Sequence, residues 1–153
     1  MHWKLCEKWG FERGEKWYDH KPEKVLENEK CKILWDFSIQ TDKKLDHNKP
    51  DILVEDKEKK EVLIIDPTCP FDTRIETKET QKLTNYNMLK LELERVWKVK
   101  KATIIPIVIG SLGSVTAKIE SWIKKVGIEC PVELLQKASL LGTARIIRKV
   151  TNI

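Results

Sequence analysis

The chain has 153 residues, of which 41% are hydrophobic and 35% charged, and its formal net charge is +5. This length suits one domain with a hydrophobic core and is short for two, and the composition excludes an intrinsically disordered chain. No apolar run approaches the roughly eighteen residues of a membrane span, and the N-terminus lacks the apolar stretch of a secretory signal. We therefore expect an intracellular protein with no membrane partner.

The net charge is distributed unevenly along the chain. From Lys98 onward there are ten basic residues and three acidic ones, so the first 97 residues are slightly acidic. This asymmetry predicts a positive field on the C-terminal elements, which suits a polyanionic partner. Basic residues on solvated helix faces would give the same pattern.

The N-terminal segment predicts a short helix, because Trp3, Cys6 and Trp9 recur at helical spacing and Gly10 ends the pattern. We interpret residues 1–30 as this helix and a connector, and residues 31–153 as the main domain.

Cysteine and histidine residues give little sign of a metal site. The four cysteines are too widely spaced for a CxxC pair and are predicted to be reduced thiols. His2 and Cys6 are four residues apart and form half of a metal site, but no second half is evident, which favours a plain helix face. His20 and His47 have no partner pattern and are predicted to lie on the surface.

Three strand candidates follow the connector. Residues 32–40 alternate apolar and polar side chains, with Ile33, Trp35, Phe37 and Ile39 on one face. Residues 51–56 and 61–66 are joined by the short charged segment DKEKK, which predicts a hairpin. The aliphatic run 62–65 indicates a strand that is buried on both faces.

The second half of the chain predicts a crossover and two closing helices. A helix from Thr73 to about Lys98 leads into a strand within residues 101–110, which favours parallel pairing with the strand that ends at Asp66. Pro106 favours an edge position or a local irregularity in that strand. Helices are predicted around residues 115–127 and 132–150. The fold class is therefore α/β, with a mixed sheet of about four strands flanked by helices.

Two aspartates form the main candidate site. Asp51 directly follows a proline, and Asp66 ends the aliphatic run, with fourteen residues between them. Carboxylates on neighbouring strands suit a divalent cation. A metal-dependent phosphodiesterase of this pattern normally has a lysine two residues beyond the second acid, where this chain has Thr68. Turn formation and strand termination would explain each aspartate separately.

Lys82 is the candidate for that lysine. At about 100° per residue it falls inside the apolar stripe of the long helix, with Tyr86, Leu89 and Leu93. A buried ammonium group is costly unless it meets carboxylates, although Lys82 could also extend to solvent. In the first case Asp51, Asp66 and the Pro67 carbonyl would hold one or two Mg²⁺ ions. Lys82 would then orient or deprotonate water, or offset transition-state charge.

Two features near the helix could contact phosphate. Arg74 lies where the helix begins and could reach a phosphate. The segment GSLGS, residues 110–114, lies between a strand and a helix, where backbone N–H groups could bind an anion. It matches no nucleotide-binding fingerprint, so a plain loop is favoured.

The stretches ILWDFSIQTDKKLDHNKPDILV, EVLIIDPTCPFDTRIE, QKLTNY, IIPIVIGSLGSVT and LLQKASLLGTARIIRKV together resemble a known family over nearly the whole chain. It is the C-terminal restriction-endonuclease-like domain of non-LTR retrotransposon polyproteins, a variant of the PD-(D/E)XK nucleases. The resemblance implies a Mg²⁺-dependent DNA endonuclease with Asp51 and Asp66 as metal ligands and Lys82 as the displaced lysine. Residues for possible DNA contact are Lys49, Arg74, Lys78 and Tyr86.

The resemblance also implies partners and a location. Such nucleases nick chromosomal DNA in the nucleus, and the exposed 3′ hydroxyl primes reverse transcription of the element's RNA. The reverse transcriptase and zinc knuckle that precede this domain in the family are absent from this chain. Relatives continue the second acid with a small, β-compatible pair, whereas this chain has Pro67 and Thr68. A catalytically inactive nucleic-acid-binding remnant is therefore the alternative.

Overall fold

A computed structural model describes residues 1–15, 20–40 and 45–151. The chain divides into two compact units, the first formed by residues 1–66 and 83–105 and the second by residues 67–82 and 106–153. The described residues form an α/β fold with a five-stranded mixed sheet flanked by helices, which confirms the predicted fold class.

The elements of the described residues are, in chain order, α1 (His2–Trp9), β1 (Val25–Glu27), β2 (Cys31–Trp35), β3 (Ile52–Asp56), β4 (Glu61–Thr68), a 3₁₀ turn (Asp72–Arg74), α2 (Ile75–Asn85), α3 (Asn87–Val96), β5 (Lys101–Val108), α4 (Ile119–Val126) and α5 (Val132–Thr151). Among these, no helix is long and apolar enough to cross a membrane.

The strands follow one another across the sheet in chain order, β1-β2-β3-β4-β5. The first four pair antiparallel. Beside β4, the Lys100 N–H donates to the Lys60 carbonyl at 2.7 Å and the Ile109 N–H donates to the Thr68 carbonyl at 3.1 Å. Residue numbers increase in the same direction along β4 and β5 between these two contacts, so the two strands are parallel. This confirms the predicted parallel crossover. The prediction of an edge position for the proline-containing strand β5 is confirmed too.

Two features of the first strands differ from expectation. The strand predicted over residues 32–40 ends at Trp35, because Asp36 adopts a positive φ of 48° that leaves extended geometry. Phe37 is consequently exposed. The region predicted as a connector contains the short edge strand β1, whose mostly exposed residues carry no apolar alternation.

One hydrophobic cluster of the first unit lies on one face of the sheet. Its buried members are Leu34, Ile39, Leu53, Val62, Ile64, Tyr86, Leu89, Leu93, Ala102 and Ile104. The members on β4 and on β5 are spaced two residues apart, and those from Tyr86 to Leu93 are spaced three or four apart, so they follow strand and helix periods respectively. This face also carries the candidate carboxylates described below.

The prediction of a single long helix from Thr73 to Lys98 is wrong, because the helical segment is interrupted. It consists of a 3₁₀ turn, α2 and α3, and Tyr86, with φ −94° and ψ 2°, separates the two helices. Val96, the last residue of α3, is 38% exposed. The interruption changes the rotation between residues before and after Tyr86, so one continuous helical wheel does not describe both segments.

In the second unit, α4 has the predicted apolar face, with Ile119, Trp122, Ile123 and Val126 buried. It ends at Gly127, whose φ of 77° is accessible to glycine at little cost. By contrast, α5 has no buried residue, and it leaves Leu140, Leu141, Ile146, Ile147 and Val150 exposed.

Candidate active site

Asp51 and Asp66 lie opposite each other at one end of the β3–β4 hairpin. The register pairs Ile52 with Ile65 and Leu53 with Ile64, and its continuation by one residue pairs Asp51 with Asp66. Directly opposed residues point to the same face, with β-carbons about 4.5–5.5 Å apart. The hairpin therefore brings together the two aspartates that the sequence singled out.

Both carboxylates lie on the face that α3 covers. Asp51 is two residues before Leu53, and Asp66 is two residues after Ile64, so each shares the face of that core residue. Asp66 is 3% exposed, whereas Asp51 is half-buried. One acid is therefore held inside the protein and the other lies at its boundary with solvent.

Tyr86, on the same face of the sheet, contacts Asp66. Its hydroxyl forms a side-chain hydrogen bond with the Asp66 carboxylate, which can only accept when ionised. Burial of the phenol, the negative charges of Asp66 and Asp51 and this bond all raise the pKa of Tyr86 above its ordinary value. The hydroxyl thus stays protonated near neutral pH and orients the carboxylate of Asp66.

The surroundings of the pair contain His47 and Lys49. His47 is exposed, as predicted, and its ring lies edge-on to Tyr86 with 6.3 Å between centroids. The Lys49 ammonium group lies 3.5 Å from Asp36, with both side chains about half exposed. Tyr86 itself is 7% exposed and therefore presents little surface to a macromolecule.

Pro67 does not end the strand that carries Asp66. Strand β4 continues through Pro67 to Thr68. The residue before a proline prefers extended geometry, which suits Asp66 as a strand residue.

The remaining predicted site residues belong to the second unit. Lys82 and Lys78 are half-buried on α2, and Arg74 is exposed at the end of the 3₁₀ turn.

The backbone N–H groups of the loop 110–114 are partly occupied by a carboxylate. Asp72 accepts hydrogen bonds from the N–H groups of Leu112 at 2.8 Å and Ser114 at 3.0 Å. A hydrogen bond from the Ser114 side chain and these backbone bonds hold the pKa of Asp72 below its usual value. A β-carbon at Gly110 would lie 2.5 Å from the Asp72 carboxyl carbon, so only glycine allows this approach. The loop is thus a structural one, the interpretation that the sequence favoured over phosphate binding.

Sequence reasoning missed a second cluster, in the first unit. His20, predicted to be a surface residue, lies with His2 and Cys6, and one ligand atom from each residue falls within 4.8 Å of the others. Burial lowers the pKa of His2 to about 4, with His20 and the amino terminus adding to the effect. Burial also raises the pKa of the Cys6 thiol. The four-residue spacing of His2 and Cys6 indicated half of a metal site in the sequence. No sequence pattern indicated that the chain returns to α1 at His20.

No family model, curated protein or solved structure matches the chain. Fold and site therefore define its class by themselves: an α/β domain with a mixed sheet and a pair of facing aspartates at one end of an antiparallel hairpin.

Proposed function

We propose that the chain is a Mg²⁺-dependent DNA endonuclease domain of the restriction-endonuclease-like type. The observation that supports this most is the register of the β3–β4 hairpin, whose continuation by one residue from the Ile52–Ile65 pair sets Asp51 across from Asp66. Separate roles in turn formation and strand termination would not require the two acids to share a register position and a face.

The donor set fits the metal. Carboxylate oxygens are hard ligands, which Mg²⁺ prefers, and Mg²⁺ commonly uses one or two carboxylates and retains water. Asp51 and Asp66 would hold the ion, with the Pro67 carbonyl as a third protein oxygen. When bound, Mg²⁺ would polarise the scissile phosphate and lower the pKa of a coordinated water.

The other residues of the proposal have positioning and charge roles. Tyr86 orients the Asp66 carboxylate through its hydroxyl. Lys82, assigned from the sequence, would orient or deprotonate the attacking water or offset charge on the phosphate in the transition state. Lys49, Arg74 and Lys78 would contact the DNA backbone.

The biological setting follows from the family resemblance. We propose that the domain belongs to a non-LTR retrotransposon polyprotein and acts in the nucleus, where it nicks target DNA for target-primed reverse transcription. The RNA of the element is then a second partner. The excess of basic residues after Lys98 supports a nucleic-acid partner.

A catalytically inactive nucleic-acid-binding domain is the second candidate. Two observations favour it. The Tyr86 hydroxyl uses part of the acceptor capacity of Asp66, and Pro67 stands where relatives have a small, β-compatible residue.

A plasmid assay separates the two. Supercoiled plasmid is incubated with the protein and Mg²⁺, beside Asp51→Ala, Asp66→Ala and Lys82→Ala. Each change should lower nicking by about 100-fold or more, since each removes either a metal ligand or the ammonium group that acts on the attacking water. Asp46→Ala, which removes an exposed carboxylate five residues before Asp51, and Lys90→Ala on α3 are matched controls that should nick like the wild type.

The outcomes differ clearly. Nicking that survives all three changes contradicts the proposed site. Wild-type protein that retards DNA without nicking it supports the inactive binding domain. Retention on heparin that decreases as salt rises is expected under both candidates, and its absence contradicts both.

A further inference from the structure

His2, Cys6 and His20 converge on one point from two parts of the chain. His2 and Cys6 lie one turn apart on α1, and His20 lies beyond the end of the helix. The Nδ1 atom of His2 is 2.8 Å from the Nε2 atom of His20 and 3.5 Å from the Cys6 sulfur, and the sulfur is 4.0 Å from His20 Nε2. We propose that these three residues bind a transition metal ion and that Zn²⁺ suits them best.

The ligand chemistry supports this choice. Two imidazole nitrogens and one thiolate are the donors that Zn²⁺ uses in proteins, and they are poor ligands for Mg²⁺ or Ca²⁺. In a tetrahedral zinc site, ligand atoms are about 3.3 Å apart for two nitrogens and about 3.5 Å apart for nitrogen and sulfur. The observed separations lie on both sides of these values, so shifts of about half an ångström would complete the site.

The protein around the cluster is already ordered. His2 and Cys6 are 4% and 0% exposed, and Trp35 of β2 lies edge-on to the His2 ring at 5.5 Å between centroids. The Trp3 indole N–H donates to the Gly14 carbonyl at 2.7 Å. The ligands are therefore held close together by neighbouring contacts, which reduces the entropy lost on binding.

Metal binding would require one local change. The Gly14 N–H donates to His20 Nδ1 at 3.0 Å, so in the metal-free arrangement the proton of His20 is on Nε2 and points to His2. A metal at Nε2 displaces this proton and leaves Nδ1 protonated, facing the Gly14 donor. The Gly14 N–H must then find another acceptor, and its amide resonance is a direct reporter of binding.

Three protein ligands leave a fourth position. A cavity of about 200 Å³ beside the cluster is lined by both histidines and by Glu12 and Glu23. A water molecule or one of these carboxylates can supply the fourth ligand. Because the ligands come from α1 and from the segment after it, the bound ion would cross-link the two and stabilise the N-terminal region. This role is independent of the proposed nuclease activity.

The test uses the full chain and Co²⁺ as a spectroscopic substitute for Zn²⁺. The thiolate-to-cobalt charge-transfer band and the intense visible bands of four-coordinate cobalt should saturate at one Co²⁺ per cluster. Zn²⁺ should displace it, raise the melting temperature and shift the Gly14 amide resonance. Cys6→Ser and His20→Ala should each weaken binding by about 100-fold or more.

Matched variants control for nonspecific binding. Cys69→Ser changes an exposed cysteine and His47→Ala an exposed histidine outside the cluster, and both should bind Co²⁺ like the wild type. Circular dichroism in the presence of a chelator checks that every variant is folded. Folded wild-type protein that shows no thiolate-to-cobalt charge-transfer band with Co²⁺, or cluster variants that show it at the same Co²⁺ concentration as the wild type, would overturn the proposal. The His2–His20 contact would then be a structural hydrogen bond.

Discussion

Asp51 occupies the register position opposite Asp66, one residue beyond the last observed β3–β4 pair. The five-residue segment DKEKK and the two strands that flank it therefore place two carboxylates side by side at the end of the hairpin that is remote from the turn. Because this arrangement depends on strand pairing, it does not require the rest of the chain to bring the acids together.

A direct consequence is metal binding in the absence of DNA. Mn²⁺, which can replace Mg²⁺ and is paramagnetic, should broaden the amide resonances around Asp51 and Asp66 first. Asp51→Asn keeps the size of the side chain but removes one charged ligand, so it should weaken Mn²⁺ binding by about 10-fold or more. Broadening that is unchanged in Asp51→Asn, or that is centred on the Glu12 and Glu23 region, would contradict the assignment.

Tyr86→Phe should destabilise the first unit. The change keeps the buried ring but removes the hydroxyl that bonds to the Asp66 carboxylate. Loss of a hydrogen bond to a buried charged acceptor costs about 1–3 kcal/mol. Urea unfolding should show a lower midpoint with an unchanged slope. Tyr86→Phe protein as stable as the wild type would mean that water replaces the hydroxyl without cost.

Cys31 should make the free energy of unfolding fall as pH rises into the alkaline range. Burial raises the pKa of this thiol to about 12, with the nearby Asp56 charge adding to the effect, whereas an unfolded cysteine ionises near pH 8.5. Between about pH 8.5 and 12 the unfolded state loses a proton that the folded state keeps, so stability falls as pH rises. The contribution of this thiol is fully present below pH 8.5.

The measurement is urea unfolding of wild type and Cys31→Ala from pH 7 to 10.5. The variant should be less stable at pH 7, because a buried side chain is truncated, and the difference should shrink as pH rises. Cys69→Ala, at an exposed thiol, is the control for the general effect of removing a thiol. A difference for Cys31→Ala that does not change with pH would show that the thiol titrates normally.

Asp72 should stabilise the second unit while it is ionised, and this stabilisation should be lost at acidic pH. Its hydrogen bonds to the loop hold its pKa below the usual value. The stabilisation is therefore present above about pH 4, the unfolded value, and is lost as pH falls through the folded pKa. Asp72→Asn should unfold less steeply with acid than the wild type does.

Gly110→Ala tests the same contact sterically. Its new β-carbon would fall 2.5 Å from the Asp72 carboxyl carbon, so it should be clearly destabilised. Gly142→Ala is the control, because a β-carbon there meets no atom within 4 Å. Equal effects of the two glycine changes on the melting temperature would contradict the close contact between Asp72 and the loop.

Much of the fold was predictable from the sequence because it depends on local periodicity. Alternation and aliphatic runs located β3, β4 and β5, and the apolar face of α4 was correct residue by residue. The position of Asp51 opposite Asp66 could also be predicted from the sequence, since a short hairpin loop fixes which residues face each other.

Tertiary structure decided the features that depend on the path of the chain. Periodicity carries no information on backbone dihedrals, and so it did not show that Asp36 ends β2 or that Tyr86 separates two helices. The meeting of His20 with His2 and Cys6 depends on how the chain returns to α1. A contact between distant residues is set by chain path and packing, which no local pattern of residue types determines.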